Sequence, residues 1–312
     1  MGINLVAKKT SEMNQRETLP ILSVLIVTYK SHDEIWPCLQ SIPPNLKGRA
    51  VEIIVIDNAS LDGISEIIRQ EFPRVNYSAL DTNLGFARAN NLAYERARGD
   101  YVLFLNPDTI SNHYTYLHCL RRLEEDASIG IISPKLIMKN GDMDLASRRS
   151  IPTVWDGFCR ALGLAAKFPN SRLFAGYNLT YLPDHETYEV GSVNGAFMMC
   201  PRSALLRFGV FDEQFFMYGD DLDLCYRCQK AGYKVIYDGR VKMVHLKGMS
   251  SAKESETMSR AVFRATKQFY LKHFNPHDSA FVKWKYDVLF DTWRLLASLK
   301  ARIAGYKGAR PL

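Results

Sequence analysis

The 312-residue chain holds little that would tie a fold together covalently or carry it through a membrane. Its six cysteines, Cys38, Cys119, Cys159, Cys200, Cys225 and Cys228, are scattered, and only Cys225 and Cys228 stand close together. A zinc site would need a second pair or histidines at ligand spacing, and neither is there, so the thiols read as reduced and packed as small apolar groups. No apolar run reaches the roughly 18 residues needed to cross a bilayer. The N-terminal stretch MGINLVAKKTSEMNQRETLP is polar and lacks the apolar block of a secretory signal, so a cytoplasmic protein is expected. Two nucleotide-binding signatures are also missing. No G-x-G-x-x-G follows the first apolar run and no G-x-x-x-x-G-K-[ST] occurs anywhere. A dinucleotide oxidoreductase and a P-loop ATPase are both disfavoured.

What is present suits a globular protein. Hydrophobic residues make up 47% and charged residues 23%, enough for a large core without disulfides. The net charge of +7 is uneven, because residues 267–312 carry nine Lys/Arg against three Asp. That end favours an acidic partner, a membrane surface or nucleic acid. No nucleic-acid recognition motif accompanies the charge, so nucleic acid is set aside.

The chain is organised around GDYVLFLNPDTI at 99–110. The apolar run 101–105 suits a buried strand, and Pro107, which has no N–H for a ladder, must end it. Asp108 is thereby presented at the carboxyl end of a core strand, where open α/β sheets bind ligands. Upstream, strands are expected at 21–28, 51–56 and 75–80, and helices at 32–41, 64–72 and 86–98. This β-α-β-α-β-α-β alternation implies a mostly parallel, Rossmann-like sheet flanked by helices. Thr28-Tyr29, Asp57-Asn58 and Asn106-Pro107-Asp108 then fall on one sheet edge. Downstream, a helix is expected at 114–126, a strand at 129–137 and a long irregular segment at 141–187 containing Arg148-Arg149. Further strands (190–200, 234–237) and helices (202–208, 222–231) follow, and then a basic helical extension. The expected division is a tail at 1–19, a catalytic domain at 20–251 split near residue 110, and the extension at 252–312.

Several side chains could carry chemistry. Asp108 can hold a divalent cation against a diphosphate, or serve as a turn residue after proline. Asp57 and Asn58 can bond a base or ribose, or cap the next helix through the same loop. Arg88, in the first helical turn after Asn83 and Gly85, can receive phosphate or be a solvated surface arginine. Asp220, Asp221 and Asp223 cluster before a helix among Phe215, Phe216 and Tyr218. Adjacent carboxylates in an apolar setting are how a site raises one of them toward the value a general base needs. His245 is a ligand or phosphate donor, or a structural histidine. Phe281, Trp284, Val288, Leu295 and Leu299 form a stripe among basic residues, which suits an interfacial helix, or packing on the domain or on a second subunit in a homodimer.

Taken together, SVLIVTYKS, VEIIVIDNASLDG, NLGFARANN, GDYVLFLNPD, VNGAFMMCPRSAL, FDEQFFMYGDDLDLCYR and VHLKGMSS resemble the inverting glycosyltransferases of family 2, which have the GT-A fold. The set looks most like the bacterial rhamnosyltransferase branch, which uses dTDP-L-rhamnose in cell-surface polysaccharide synthesis. The resemblance implies that Thr28, Tyr29, Asp57, Asn58, Asn83, Gly85, Arg88 and Asn106 lie by the nucleotide and diphosphate. It implies Asp108 as the ligand of Mg²⁺ or Mn²⁺, with Asn106 in place of the first acid of D-x-D. His245 becomes a second metal ligand or a diphosphate donor. Gly195 and Ala196 would line the sugar and acceptor pocket. Asp221 would be the catalytic base, with Asp220, a shorter acid, in the usual Glu place. The implied acceptor is a saccharide or a polyprenyl-diphosphate-linked saccharide at the inner membrane face. A UDP-sugar donor (galactofuranosyl or N-acetylglucosaminyl), or a non-catalytic nucleotide-sugar-binding role, would use the same motifs.

Overall fold

The computed structural model describes residues 19–246 and 255–274. The first half alternates as the apolar runs require: β1 (Leu22–Thr28), α1 (His32–Ser41), β2 (Asn45–Leu46), β3 (Arg49–Asp57), α2 (Ile64–Glu71), β4 (Val75–Ala79), α3 (Phe86–Arg96) and β5 (Tyr101–Leu105). There follow β6 (Thr109–Ile110), α4 (His113–Glu125), β7 (Ile129–Met138), a single 3-10 turn, α5 (Val154–Ala161), α6 (Leu164–Lys167) and β8 (Thr187–Glu189). The chain continues through β9 (Phe197–Pro201), α7 (Arg202–Phe208), α8 (Asp220–Lys230), β10 (Lys234–His245) and α9 (Ser255–His273).

One sheet runs in the order β2-β3-β1-β5-β9-β7-β10-β6, with β4 on the outer side of β3 and β8 on β10. The strands β4, β3, β1 and β5 are mutually parallel. Beyond β5 the sheet is mixed, because β9 runs antiparallel to both β5 and β7. β1 is buried along its whole length, and alternate residues point to opposite faces. Val24 and Ile26 pack with α1, α2 and α4, while Leu25 and Val27 pack with α3, α7 and α8. Each such aliphatic side chain, fully removed from water, stabilises by about 1.5–3 kcal/mol. The small Ala87, Ala89 and Ala93 let α3 sit close on the second face. All six cysteines are free and buried in the core, as their scatter implied.

Two expectations need correction. The strand expected at 190–200 is formed only at β9. Asn194 accepts the Ala196 N–H on its own side chain (2.9 Å), which turns the chain. Gly191 packs so closely on residues 150–151 that a Cβ would lie 2.2 Å from the Ile151 nitrogen. The strand expected at 234–237 continues to His245 through a register shift between Asp238 and Lys242. The N-terminal tail, the end of VHLKGMSS and the amphipathic stripe from Phe281 onward lie outside the described residues.

α9 docks on the N-terminal part of α8 through Phe215, Leu222, Ala265, Phe269 and Tyr270. The apolar contact surrounds an ionic cluster. Asp223, fully buried, accepts from Arg227 (2.7 Å), Lys272 (2.6 Å) and His273 (2.6 Å). Burial alone would raise the Asp223 pKa, but the bonds from His273 and Lys272 and the charge of Arg227 outweigh it and hold the group down at about 2. A depressed carboxylate stabilises the fold above its unfolded pKa of about 3.9 and loses that contribution as pH falls through about 2. Asp223→Asn is therefore expected to cost about 3 kcal/mol near neutrality. It should also flatten the loss of urea stability between about pH 4 and pH 2. Parallel acid limbs for the two proteins would show that the cluster contributes nothing to acid sensitivity.

Candidate functional site

The parallel strands deliver their polar ends to one edge. Thr28 is level with Asp57, and the Asn58 N–H donates to the Thr28 carbonyl (2.8 Å). Asp57 is buried and fully engaged, accepting the Ser60 N–H on Oδ1 and the Tyr77 hydroxyl on Oδ2, both at 2.9 Å. Asn58 is equally committed. Its amide donates to Asn83 Oδ1 (2.9 Å) and the Gly85 carbonyl (3.2 Å), and its Oδ1 accepts the Leu84 N–H (2.8 Å). Asn58 thus shapes the 83–85 loop. Two polar atoms on this edge are buried without a hydrogen-bond partner, Thr28 Oγ1 and Asn106 Oδ1. The Tyr29 ring, by contrast, is exposed beneath the Lys30 ammonium, 5.3 Å from its centroid.

Gly85 has φ +83°, and a Cβ there would lie 2.5 Å from the Phe216 carbonyl oxygen. Only glycine fits both demands. The same carbonyl accepts the Phe86 N–H (2.9 Å), so the segment before α8 rests on the start of α3. Arg88 faces Glu213 of that segment at 3.7 Å, with both side chains more than half exposed.

The expected catalytic base Asp221 and the expected metal ligand Asp108 are joined by one run of contacts. Asp108 Oδ1 lies 3.4 Å from His245 Nε2, and His245 Nδ1 lies 3.3 Å from Asp144 Oδ2. Asn194 Nδ2 donates to Asp144 Oδ2 (3.4 Å). The adjacent Gly195 N–H donates to Asp221 Oδ2 (3.2 Å), which also accepts from Arg149 (2.7 Å). Asn106 joins the same edge by donating its N–H to the Ala196 carbonyl (3.1 Å). Residues 108 and 221 therefore share one polar seam with 195 and 196 between them.

The charges along the seam are set by its carboxylates. Burial disfavours a charged imidazole at His245, but the hydrogen bonds it donates to Asp108 and Asp144 outweigh it and raise the pKa to about 9. Arg149 is held above its usual value, the attraction of Asp221 exceeding the penalty of burial. Asp220, at the first position of α8, is pushed up to about 7 by burial and then by the neighbouring Asp221 charge. Asp144, Arg149 and Asn194 were not singled out as site residues in the sequence. Arg149 stands in the irregular segment, where only its pairing with Arg148 marked it.

Among the described residues no three His, Cys, Asp or Glu side chains converge to hold an ion by themselves. The Asp108 carboxylate and the orphaned Asn106 amide oxygen nevertheless suit a hard cation shared with a diphosphate, since Mg²⁺ sites often use one or two carboxylates plus substrate oxygens. The donor set fits such a shared site and not a protein-only cage.

Asp144→Asn is expected to lower the His245 pKa by about one unit or more, because one of its two charge partners is neutralised. Imidazole NMR titration reads this directly. An unmoved His245 titration would remove Asp144 from the seam's electrostatics.

Comparison with known proteins agrees with this architecture. The family model for glycosyl transferase family 2 matches residues 23–213. An N-acetylglucosaminyl-diphospho-decaprenol L-rhamnosyltransferase of Mycobacterium tuberculosis is 26% identical over 275 residues, covering 85% of this chain and 88% of its own. Rhamnosyltransferase WbbL of Escherichia coli is 27% identical over 234 residues, covering 71% and 82%. Among solved structures, a mannosyltransferase from Pyrobaculum calidifontis, in complex with GDP-Man and Mn²⁺, superposes with a TM-score of 0.57 at 16% identity over 98% of this chain and 84% of that one. Staphylococcus aureus TarS residues 1–349 with UDP-GlcNAc gives 0.53 at 17% identity over 87% and 71%. These likenesses show the GT-A fold. The chain belongs to glycosyl transferase family 2 and is a glycosyltransferase.

Proposed function

We propose that the protein transfers L-rhamnose from dTDP-L-rhamnose, with inversion, to a saccharide carried on a polyprenyl diphosphate, in cell-surface polysaccharide synthesis at the inner membrane face. The names of the Mycobacterium and Escherichia relatives support the sugar, and the former supports the lipid-linked acceptor. The observation that carries the reading is the seam from Asp108 to Asp221, because a transferase must hold a leaving diphosphate and an incoming hydroxyl a few ångströms apart.

In this reading the sheet edge 28–29, 57–58, 83–88 and 106 takes the donor nucleotide, residues 20–110 forming the donor half and 111–251 the acceptor half. Tyr29 offers an exposed ring face to the base, and Arg88 turns to the diphosphate. Leaving Glu213 costs Arg88 little, since an exposed ion pair is worth about 0–1 kcal/mol. Asp108, with Asn106, would hold Mg²⁺ or Mn²⁺, which when bound neutralises charge on the leaving diphosphate. His245, protonated between two carboxylates, serves as a cationic donor toward the diphosphate more readily than as a metal ligand.

The acceptor hydroxyl lies over Gly195 and Ala196 beside Asp221. Its oxygen attacks the anomeric carbon as the bond to the nucleoside diphosphate breaks, and its proton passes to the Asp221 carboxylate. One displacement gives one inversion. Arg149 and the Gly195 N–H fix the orientation of that carboxylate, and Asp220, pushed up to about 7 by burial, spares the base part of a second negative charge.

Asp221→Asn is expected to abolish transfer, a loss of about 10³-fold or more, while nucleotide affinity stays within about twofold. Loss of both with the fold intact would assign Asp221 to donor binding instead. Thermal shift with dTDP against UDP, each with Mg²⁺ or Mn²⁺, reads the donor. A larger stabilisation by dTDP is expected, and a preference for UDP would replace rhamnose with a UDP-linked sugar.

A further inference from the structure

The excursion between Arg149 and β8 carries its apolar side outward. On α5, Asp156 and Cys159 are buried, whereas Trp155 and Phe158 face solvent, joined by Leu162, Phe168 and Leu173. These five side chains are between 43% and 60% exposed. A surface helix ordinarily presents the reverse, so this face is built to meet something apolar. It is also ordered. Trp155 stacks on Phe158 (centroids 5.5 Å, planes 26° apart) and donates its indole N–H to the Leu173 carbonyl (2.7 Å). A Thr153–Asp156 capping box fixes the start of α5.

The charge around the face has one sign. Residues 157–183 contain no Asp or Glu and three cations, Arg160, Lys167 and Arg172. Each cation lies over an aromatic ring, on Tyr177 at 5.1 Å, Phe168 at 5.6 Å and Tyr181 at 5.5 Å respectively. Aromatic side chains ringed by Arg and Lys are what the boundary of an anionic bilayer accepts, apolar bodies in the acyl region and cations among the headgroups. A second copy docking symmetrically would bring these cations against their equivalents, and the one carboxylate of the surface, Asp156, is buried and engaged by Thr153.

We propose that residues 154–174 form a docking surface for an anionic lipid bilayer. The surface is coupled to the seam over a short distance. Ser150 donates its N–H to the Tyr177 carbonyl (2.8 Å), and its neighbour Arg149 holds Asp221. Seating the face on a bilayer therefore fixes the height of Asp221 above the lipid. Resting on the proposed function, that is the height at which a polyprenyl-linked hydroxyl is presented.

The test uses the full chain and vesicles of phosphatidylcholine alone or with about 30 mol % phosphatidylglycerol. Wild type should co-sediment with the anionic vesicles and weakly with the neutral ones. Phe158→Ser with Leu162→Ser, and separately Lys167→Glu with Arg172→Glu, should each weaken anionic-vesicle binding about tenfold or more. Because all four residues are substantially exposed or at the surface, thermal midpoints and turnover on a soluble acceptor should stay at the wild-type level. Vesicle binding unchanged in both variants overturns the proposal and leaves lipid binding to another segment. So does a lipid-free dimer in sedimentation velocity that the same substitutions dissociate. If vesicle binding responds as expected but no rhamnosyl transfer occurs, the docking surface stands and the proposed function falls.

Discussion

The buried imidazole of His245 is what lets the two halves of the sheet share an edge. β10 ends there, between Asp108, which follows β5, and Asp144, which follows β7. Two carboxylates brought together at this edge repel, and the buried Asp144 alone would carry a desolvation cost of several kcal/mol. One protonated imidazole between them turns repulsion into two attractive contacts. The cost of protonating a buried histidine is overcome for the same reason, which is why its pKa rises to about 9. Asn194 then extends the run toward Gly195 and Asp221, so the electrostatics at Asp108 and at Asp221 are not independent.

Much of this was legible in the chain because its cause is local. An apolar run stopped by Pro107 has few alternatives to a strand end, and parallel pairing of β1, β3 and β5 necessarily brings Thr28, Asp57 and Asn106 to one edge. The start of α8 was legible to within two residues, since three acids after Gly219 mark a helix N-terminus. What was not legible depends on contacts distant in sequence. Asp221 meets Arg149 across 72 residues, and Asp144 meets His245 across 101. Neither arginine nor aspartate carries a local pattern that announces such a partner. Residues 190–196 read as strand because VGSV is β-prone, but Gly191 is taken up by a close approach to residues 150–151 and Asn194 by its own turn. Asn58 shows the converse. The motif marked it, yet its hydrogen bonds are spent on residues 83–85, so its direct effect is on the shape of that loop.

The three cations near the seam differ in how firmly they are held, and in the proposed reading that difference orders the response to a diphosphate. Arg88 and Glu213 are both exposed, so their pairing is weak and exchange for a doubly charged phosphate group is downhill. Arg149 sits in a largely dry position, bonded to Asp221 and the Val193 carbonyl, and removing its partner would strand a buried charge at a cost of about 3–5 kcal/mol. His245 is similarly fixed by two carboxylates. The movable cation is therefore the exposed Arg88, and the immovable ones lie deeper. Because the Phe216 carbonyl bonds the Phe86 N–H and Glu213 belongs to the same segment, release of Arg88 also loosens one of the contacts holding residues 212–216 over the start of α3. That segment leads directly into Asp220 and Asp221. In the proposed reading, donor binding and the setting of the acidic pair are linked through six residues of backbone, with Arg149 as the fixed point against which the pair is aligned.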